Sequence, residues 1–325
     1  ALDGSLGVLI ALECLQVLQE NGFTPERSLE VVAFSDEEGR FGGMLGSQSV
    51  CGLTNPEVIH AQDLDGVELG AEMRKHGFDP MKILDASRTR ESIHRYLELH
   101  IEQGPVLDRG GESIGIVEDI AGLFKWNVRL MGESNHAGTT PMEMRKDAFM
   151  GLADFAHEIP RILDENGSVR SRATIGKAEI LPGAANTVAG RVDFSLDVRD
   201  TSPEVLQDLA VALRRTLSAI ARRRDLKFVF DELSWIEPVR CDSELVQQFE
   251  SSARELDLSY IKMPSGAAHD AQIMANITPV GMIFVPSKNG ISHSPAEWTD
   301  WADIHAGAKV LLRTLAQISK ITESI

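Results

Sequence analysis

The chain has 325 residues, enough for about two domains of ordinary size. Its 49 acidic residues outnumber its 32 lysines and arginines, and the formal net charge of −17 disfavours a general nucleic-acid binder because phosphate backbones are repelled. Hydrophobic residues make up 43 % and charged residues 25 %, which argues against disorder, and no apolar run is long enough for a membrane helix.

The cysteines and the first residues bear on the compartment. Cys14, Cys51 and Cys241 are far apart and odd in number, so they predict no disulfide framework, and a reducing cytoplasm fits them best. The first residues lack the basic start and apolar core of a signal peptide and lead at once into a helical pattern. Because natural proteins seldom begin so abruptly, we expect a further segment to precede Ala1.

Helix and strand patterns alternate in the first part of the chain. Leucines at helical spacing predict a helix over 6–19, and the β-branched run 29–34 predicts a buried parallel strand. Strict alternation over 96–102 predicts a strand whose polar face carries His100. This order is typical of an α/β domain.

From about residue 121 the order changes to β-α-β-β-α-β, the split unit of a ferredoxin-like domain, and it continues to residue 237. Ser202 followed by Pro203 is a strong signal for the start of the second helix. The predicted elements are, in chain order, a strand over 124–130, a helix over 142–163, strands over 170–180 and 188–199, a helix over 203–223 and a strand over 227–235.

After residue 238 the first pattern returns. Asp242 caps a predicted helix that ends near residue 256, 279–285 reads as a buried strand, and 300–321 reads as an amphipathic helix. The α/β domain is therefore predicted to be discontinuous, with parts at 1–120 and 238–325 and the ferredoxin-like unit, 121–237, inserted between them.

Several residues that can carry chemistry lie where strands should end, the edge at which open α/β sheets bind ligands. Glu37 and Glu38 could act as one general base and one metal ligand, although a solvated acidic turn is the alternative. His100 and His293 could be ligands or ordinary structural or surface residues, and Asp3 could be only a helix cap. Together they offer nitrogen and oxygen ligands suited to Zn²⁺ or Mn²⁺.

Two more stretches lie in predicted turns of the inserted unit. Asn135–Met142 contains His136, and Leu181–Val188 contains Asn186. Both could be ordinary turn residues, and a catalytic role requires their domain to reach a metal site on the other domain.

Four motifs, taken together, identify a family resemblance. They are Glu-Leu-His-Ile-Glu-Gln-Gly-Pro at 98–105, Asn-His-Ala-Gly-Thr-Thr-Pro-Met at 135–142, Ser-Gly-Ala-Ala-His-Asp-Ala at 265–271 and Ser-His-Ser-Pro-Ala-Glu-Trp at 292–298. This set resembles the hydantoinase/carbamoylase branch of the dinuclear-metal aminoacylase and carboxypeptidase superfamily, which includes N-carbamoyl-L-amino-acid hydrolases, β-ureidopropionases and allantoate amidohydrolases. The resemblance covers essentially the whole chain. It implies a mixed-sheet metallohydrolase catalytic domain with an inserted ferredoxin-like lid and dimerisation domain.

The resemblance also implies a metal centre with two divalent ions, Zn or Mn with Co as a further candidate, in each subunit of a homodimer. Asp3 would bridge the two ions. Glu38 and His293 would complete one site, and His100 would bind the other ion. Glu37 would be the general base.

The implied substrate contacts come from both domains. His136 would polarise the scissile carbonyl and would be supplied by the partner subunit. The residues expected to hold the substrate carboxylate are Gln103, Asn186 and Arg199. Ser265 and Gly266 would lie nearby.

The chain departs from the family pattern in two places. A further His ligand, in a Gly-Ser-His-x-Asp stretch before the bridging Asp, has no counterpart, because only two residues precede Asp3. We therefore expect the second metal site to be incomplete, with His269 as the first candidate to replace the absent ligand. The stretch after Glu38 is also about two residues shorter than usual, with Gln48 where the family commonly has Arg.

The predicted function is that of a metal-dependent amidohydrolase acting on a non-peptide linear amide, foremost an N-carbamoyl (ureido) amino acid or an allantoate-like compound. A divalent metal lowers the pKa of a bound water to roughly 7, Glu37 would take and return the proton, and His136 would help to stabilise the oxyanion. The alternatives are a dipeptidase or aminoacylase of the same superfamily, or a metal-poor dimeric binding protein without turnover. The expected partners are a small substrate and a second copy of the chain, with neither nucleic acid nor membrane.

Overall fold

Helices and strands alternate along most of the chain in the computed structural model, which describes residues 2–320. One unit is formed within Ala1–Ile120 and Arg240–Ile325, and a second is formed by Ala121–Val239. The mixed α/β class predicted from the sequence is confirmed. Over residues 2–320, no helix has both the length and the apolar character that crossing a bilayer requires.

The elements follow in chain order. Before the second unit they are α1 (Ser5–Glu20), α2 (Leu45–Val50), α3 (Leu69–Lys75), β1 (Tyr96–Ile101), α4 (Val106–Gly110) and β2 (Ile114–Ile120). The second unit contains β3 (Gly122–Met131), α5 (Ala148–Asn166), β4 (Arg172–Thr174), β5 (Ala178–Leu181), β6 (Arg191–Asp200), α6 (Pro203–Arg223) and β7 (Lys227–Ile236). There follow β8 (Val239–Arg240), α7 (Ser243–Glu255), β9 (Tyr260–Ser265), α8 (Asp270–Met274), β10 (Val280–Val285) and α9 (Trp301–Ile318). Short 3₁₀ turns cover Pro56–His60, Pro80–Ala86, Arg90–Ser92, Met142–Met144 and Lys288–Gly290.

The sheet of the first unit is mixed. β10 lies between β1, to which it is parallel, and β2, to which it is antiparallel, while β9 runs parallel to β2. All six residues of β10 are buried, as expected for a central strand. Helix α1 approaches β1 closely at Gly7, where a Cβ would lie 2.4 Å from the backbone oxygen of Leu99. This contact brings the start of α1 near the end of β1.

The predicted strand over 29–34 is wrong. The segment belongs to no β-ladder among the described residues, and none of its six residues is buried. β-branched side chains favour a pleated surface, but a strand also needs a hydrogen-bonded neighbour, and no described segment supplies one. Together with residues of α1, β1 and α9, the segment lines a cavity of about 860 Å³ that extends to the acidic turn at Glu37 and Glu38.

The second unit is an antiparallel sheet in the order β4-β6-β3-β7, with β5 also paired to β6. Its core lies between this sheet and the helices α5 and α6, and it includes Phe124, Trp126, Phe155 and Leu209. The order of elements is β-α-β-β-α-β, with the second strand in two pieces.

Two predicted elements of this unit have different bounds. The helix expected over 142–163 begins only at Ala148, because Asp147 accepts hydrogen bonds from the backbone N–H groups of the first turn and so caps it. The strand expected over 170–180 is broken into β4 and β5 near Lys177, whose backbone N–H donates to the side chain of Ser195.

The other predicted helices and strands are present within a few residues of their expected ends, apart from the end of the last helix. That helix was expected to reach residue 321, which lies outside the described residues; α9 ends at Ile318. The elements that the sequence patterns did not indicate are the helices α2, α3, α4 and α8 and the strands β2, β8 and β9.

Candidate functional site

The carboxylate of Asp3 lies between two histidines in the first unit. Its Oδ1 is 3.0 Å from Nε2 of His100, and its Oδ2 is 3.0 Å from Nε2 of His293. Oε1 of Glu38 lies 3.6 Å from the same His293 nitrogen, and Asp3, Glu38 and His293 form a group able to hold a metal ion. The structure thus brings together the four residues predicted as metal ligands, which come from four separate parts of the chain.

The two histidines are held in different ways. His100 is buried on β1, and its Nδ1 lies 2.8 Å from the backbone oxygen of Ile101, which leaves Nε2 facing Asp3. His100 is therefore not a surface residue, which was one of the alternatives that the sequence left open. His293, in the loop after β10, has a φ of 53°, an unfavourable left-handed conformation for a residue with a side chain.

Gln103 follows β1 and has the same kind of backbone strain, with a φ of 57°. Its Nε2 donates to Oδ2 of Asp3 at 2.7 Å and lies 3.3 Å from Nε2 of His293. The other amide atom, Oε1, is buried and has no hydrogen-bond partner among the described residues. A buried acceptor without a donor is costly, so this atom marks a place where a bound group can donate a hydrogen bond.

The pKa values around Asp3 reflect these contacts. Burial alone would raise the pKa of Asp3, but hydrogen bonds from His100, Gln103 and Ser292 hold it well below its usual range. Burial alone would lower the pKa of His100, but Asp3 and Glu98 raise it to about 9. Asp3 is therefore fully negative at neutral pH, as a metal ligand must be.

Glu37 is a different carboxylate from its neighbour Glu38. Burial, with the nearby charges of Asp270 and Glu38, raises the pKa of Glu37 to about 7. The side chain of Glu38 is 64 % exposed and lies beside His293. A carboxylate that titrates near neutral pH can both accept and return a proton, which suits Glu37 to the predicted role of general base.

A second group able to hold a metal ion consists of Glu98, His100 and His269. Nδ1 of His269 lies 3.8 Å from Oε1 of Glu98, and the rings of His100 and His269 meet edge to face at 4.6 Å. Glu98 also accepts a hydrogen bond from the backbone N–H of Ala271. Glu98 was not among the residues predicted as ligands, although its position two residues before His100 on one strand face was a usable signal.

The two residues predicted near the substrate at the end of β9, Ser265 and Gly266, differ in exposure. Ser265 is buried, and its hydroxyl donates to the backbone oxygen of Ala267 and lies 2.9 Å from Nε2 of His269, so it supports the turn. Gly266 is exposed, and a Cβ added there would meet nothing within 4 Å. Gly266 therefore borders open space and Ser265 does not.

In the second unit the structure places His136 and Asn186 on adjacent turns. The backbone N–H of Ala137 donates to the oxygen of Asn186 at 2.8 Å, and both predicted side chains are exposed. Nδ1 of His136 accepts from the backbone N–H groups of Gly138 and Thr139 at 3.1 and 3.2 Å. The hydrogen of a neutral imidazole then lies on Nε2, so His136 can donate a hydrogen bond outward.

Arg199 lies elsewhere on this unit. Its guanidinium contacts Asp197, with Nε 2.8 Å from Oδ1, near one end of β6. Arg191, at the other end of β6, pairs with Leu181, where the turn that carries Asn186 begins. At about 3.3 Å per residue, Arg199 is roughly 26 Å along the strand from Arg191. Within one chain the structure therefore does not bring Arg199 to Asn186. That both hold one substrate carboxylate stays a prediction.

The comparisons with known proteins identify the family of the chain. The family model of Peptidase family M20/M25/M40 matches residues 1–317. The N-carbamoyl-L-amino acid amidohydrolase of Geobacillus stearothermophilus is 38 % identical over 321 residues, which are 98 % of this chain and 78 % of that protein. The allantoate amidohydrolase of Escherichia coli is 39 % identical over 322 residues, 98 % of this chain and 77 % of that protein. A crystal structure of a hydantoinase/carbamoylase family amidase from Burkholderia multivorans matches with a TM-score of 0.88 and 33 % identity, covering 100 % of this chain and 78 % of that chain.

The chain therefore belongs to Peptidase family M20/M25/M40, and within it to the hydantoinase/carbamoylase branch. More narrowly, it is a metal-dependent amidohydrolase whose target is a carbon–nitrogen bond other than a peptide bond. The resemblance and the enzyme class inferred from the sequence motifs are both confirmed.

Proposed function

We propose that this amidohydrolase cleaves the ureido bond of an N-carbamoyl amino acid. Two relatives with similar sequence identity to this chain have different names. One is an N-carbamoyl-L-amino acid amidohydrolase, and the other is an allantoate amidohydrolase. Both names describe ureido compounds that carry a carboxylate. The observation that carries the proposal is the Asp3 carboxylate, with one oxygen directed at each of two histidines, His100 and His293.

The donor set fits a divalent cation. Asp3, Glu38 and His293 supply two carboxylates and one imidazole, and three protein ligands with one open position are the usual set of a catalytic zinc site. A second cation would share Asp3 and take His100, whose Nε2 is directed at Asp3. When bound, such a cation supplies Lewis-acid activation of water and of the substrate carbonyl. We propose Zn²⁺ or Mn²⁺, with Co²⁺ as a further candidate.

Glu37 is the proposed general base. Its pKa of about 7 lets it take the proton of the attacking water and return it to the leaving nitrogen. Gln103, whose buried Oε1 has no partner among the described residues, is placed to accept a hydrogen bond from the substrate. Gly266 has no side chain and leaves room for the substrate. The buried Ser265 would act by holding this turn.

His136, Asn186 and Arg199 are the proposed contributions of the second unit. His136 donates through Nε2 to the oxyanion, and Asn186 on the adjacent turn and Arg199 bind the carboxylate. Because Arg199 lies roughly 26 Å along β6 from the strand end beside Asn186, one copy of this unit cannot place all three on one substrate. A homodimer, in which each site takes residues from both chains, removes this difficulty and is the assembly we propose.

We also propose a cytoplasmic location. It rests on Cys14, Cys51 and Cys241, which are buried, separate from one another and without a role in the site.

The function is tested with purified chain supplied with Mn²⁺ or Zn²⁺ and offered N-carbamoyl-L-amino acids, allantoate, N-acetyl amino acids and dipeptides. We expect release of free amino acid from the N-carbamoyl compounds at a rate at least ~10²-fold above that of the Glu37→Gln variant, and loss of the activity with a chelator. Preference for dipeptides or N-acetyl amino acids would favour the rival hydrolase. Substrate binding with turnover equal to that of the variant would favour a binding protein.

A further inference from the structure

Glu297, in the loop between β10 and α9, joins two parts of the chain that are far apart in sequence. Its Oε1 accepts hydrogen bonds from the backbone N–H groups of Leu2, at 2.7 Å, and Asp3, at 3.1 Å. Its Oε2 accepts from the hydroxyl of Ser292, at 3.0 Å, and from the backbone N–H of His293, at 3.1 Å. One carboxylate thus holds the backbones of two proposed metal ligands, one with each oxygen.

The surroundings of Glu297 indicate that it is a support and not itself a ligand. The residue is only 6 % exposed, and the donors among the described residues already fill about as many lone-pair positions as a carboxylate offers. The hydroxyl of Ser292 also lies 3.2 Å from Oδ2 of Asp3, so the same network reaches the ligand's side chain. It also holds His293 in its left-handed conformation, which loop residues adopt only when neighbouring contacts impose it.

We propose that Glu297 is a positioning residue, which sets the separation of Asp3 and His293 and so makes the metal site. This inference rests on the proposed function, because it takes Asp3 and His293 as ligands. Groups that hold metal ligands from outside the coordination sphere commonly change metal affinity by 10–100-fold when they are replaced.

Glu297→Gln separates the role of Glu297 as a hydrogen-bond acceptor from the packing of its side chain, because the two side chains have nearly the same shape. An amide of the same shape has one acceptor oxygen and one NH₂ group, so it can hold Asp3 or His293 but presents a donor to the N–H groups of the other. Glu297→Asp keeps two acceptor oxygens on a side chain one methylene shorter, which cannot reach both backbones at full strength. A matched control is Asp242→Asn, since Asp242 is also a carboxylate that accepts a backbone N–H, from Leu245 at the start of α7, and has no contact with the site.

The test is a titration of each variant of this chain with Mn²⁺ alone, in which electron paramagnetic resonance measures the free ion and circular dichroism checks the fold. We expect Glu297→Gln to raise the Mn²⁺ dissociation constant by about 10–100-fold, Glu297→Asp to raise it less, and Asp242→Asn to leave it unchanged. A folded Glu297→Gln protein with the original affinity would overturn the inference. If the Gln variant does not fold, Glu297→Asp decides, because the original affinity in that variant would also overturn it.

A further variant distinguishes this inference from the function on which it rests. His293→Ala should lose Mn²⁺ binding if the proposed site is right. If His293→Ala binds Mn²⁺ normally, the site itself is misassigned. If His293→Ala loses the ion while Glu297→Gln keeps it, only the role of Glu297 is wrong.

Discussion

Two carboxylates of each unit show how differently the two units can hold an acidic group. In the second unit the pKa of Asp154 is lowered chiefly by Arg224 and that of Asp193 chiefly by Arg191, so both carboxylates favour the charged state. In the first unit, burial raises the pKa of both Glu37 and Glu98 to about 7. Asp154 and Asp193 are thus paired with arginines, whereas Glu37 and Glu98 have no lysine or arginine partner among the described residues.

This contrast locates the chemistry. Unpaired buried carboxylates reduce stability, so they persist where function requires a proton acceptor or a site for a cation. Two of the three functional residues predicted in the second unit, His136 and Asn186, lie on exposed turns outside its core. We therefore expect turnover to depend on the buried carboxylates of the first unit and stability to depend on the ion pairs of the second unit.

The largest expected effect is on turnover in the first unit. Glu37→Gln keeps the shape of the side chain but removes the base, so we expect the turnover number to fall by at least ~10²-fold in a steady-state assay. Metal content, measured by elemental analysis, should stay close to that of the unmodified chain, since Glu38 is the proposed ligand. If instead Glu37→Gln loses the metal and Glu38→Gln keeps it, the two roles are reversed.

The second prediction tests whether the second unit acts across a dimer. Chains carrying His136→Ala and Glu37→Gln should each be nearly inactive, but after subunit exchange about a quarter of the sites in an equal mixture would have both residues intact. Activity should therefore return on mixing. If labelled subunits demonstrably exchange and no activity appears, the site is not shared.

The position of Arg199 on β6 allows a second mixing experiment. If Arg199 serves the site of its own chain while His136 serves the partner's site, mixing Arg199→Ala with His136→Ala should restore activity in the same way. If both act on the partner's site, this mixture stays inactive, which would contradict the arrangement inferred from the length of β6.

A smaller effect is expected from the ion pairs of the second unit. Asp154 has a pKa lowered by Arg224 and Arg223, so its stabilisation is fully present above the unfolded-state pKa and is lost as the pH falls through the lower folded-state pKa. Asp154→Asn should therefore lower the free energy of unfolding by about 1 kcal/mol at pH 7, and by progressively less in more acidic buffer. Urea unfolding at several pH values measures this difference. Asp164→Asn, an exposed aspartate on the same helix, is the control, and an equal loss there would contradict the account.

The smallest structural effect is expected at Gly266. Because an added Cβ meets nothing within 4 Å, Gly266→Ala should change the free energy of unfolding by less than about 0.5 kcal/mol. A methyl group in a substrate pocket should nonetheless raise KM about tenfold. Gly110→Ala, at the end of α4, provides a glycine control with room for a methyl group. An unchanged KM in Gly266→Ala would remove Gly266 from the pocket.

The fold was predictable where a local signal exists. Helical spacing and the caps at Ser202 and Asp242 gave α1, α6 and α7 within one or two residues of their ends. The segment 29–34 was misjudged because β-branched composition does not reveal whether a pairing partner is present. Short elements such as α8 lack enough residues for a periodic pattern.

The site was predictable for a different reason. Asp3, Glu38, His100 and His293 were selected as residues able to bind metal, and their roles came from the motif resemblance; the structure adds that they meet. Glu297 could not be selected, because its role depends on hydrogen bonds to Leu2 and Asp3, which lie 295 and 294 residues away in the sequence. Long-range contacts of this kind leave no periodic signal.

The central claim is that Asp3 is the shared ligand of the metal centre, and a metal titration tests it most directly. Isothermal titration of the full chain with Zn²⁺ should give close to one tight ion per chain, since Asp3, Glu38 and His293 form a three-ligand set while Asp3 and His100 alone are one ligand short. Asp3→Asn should abolish that tight binding. Two tight ions per chain would show that a further residue, with His269 the first candidate, completes the second site, and unchanged binding by Asp3→Asn would contradict the central claim.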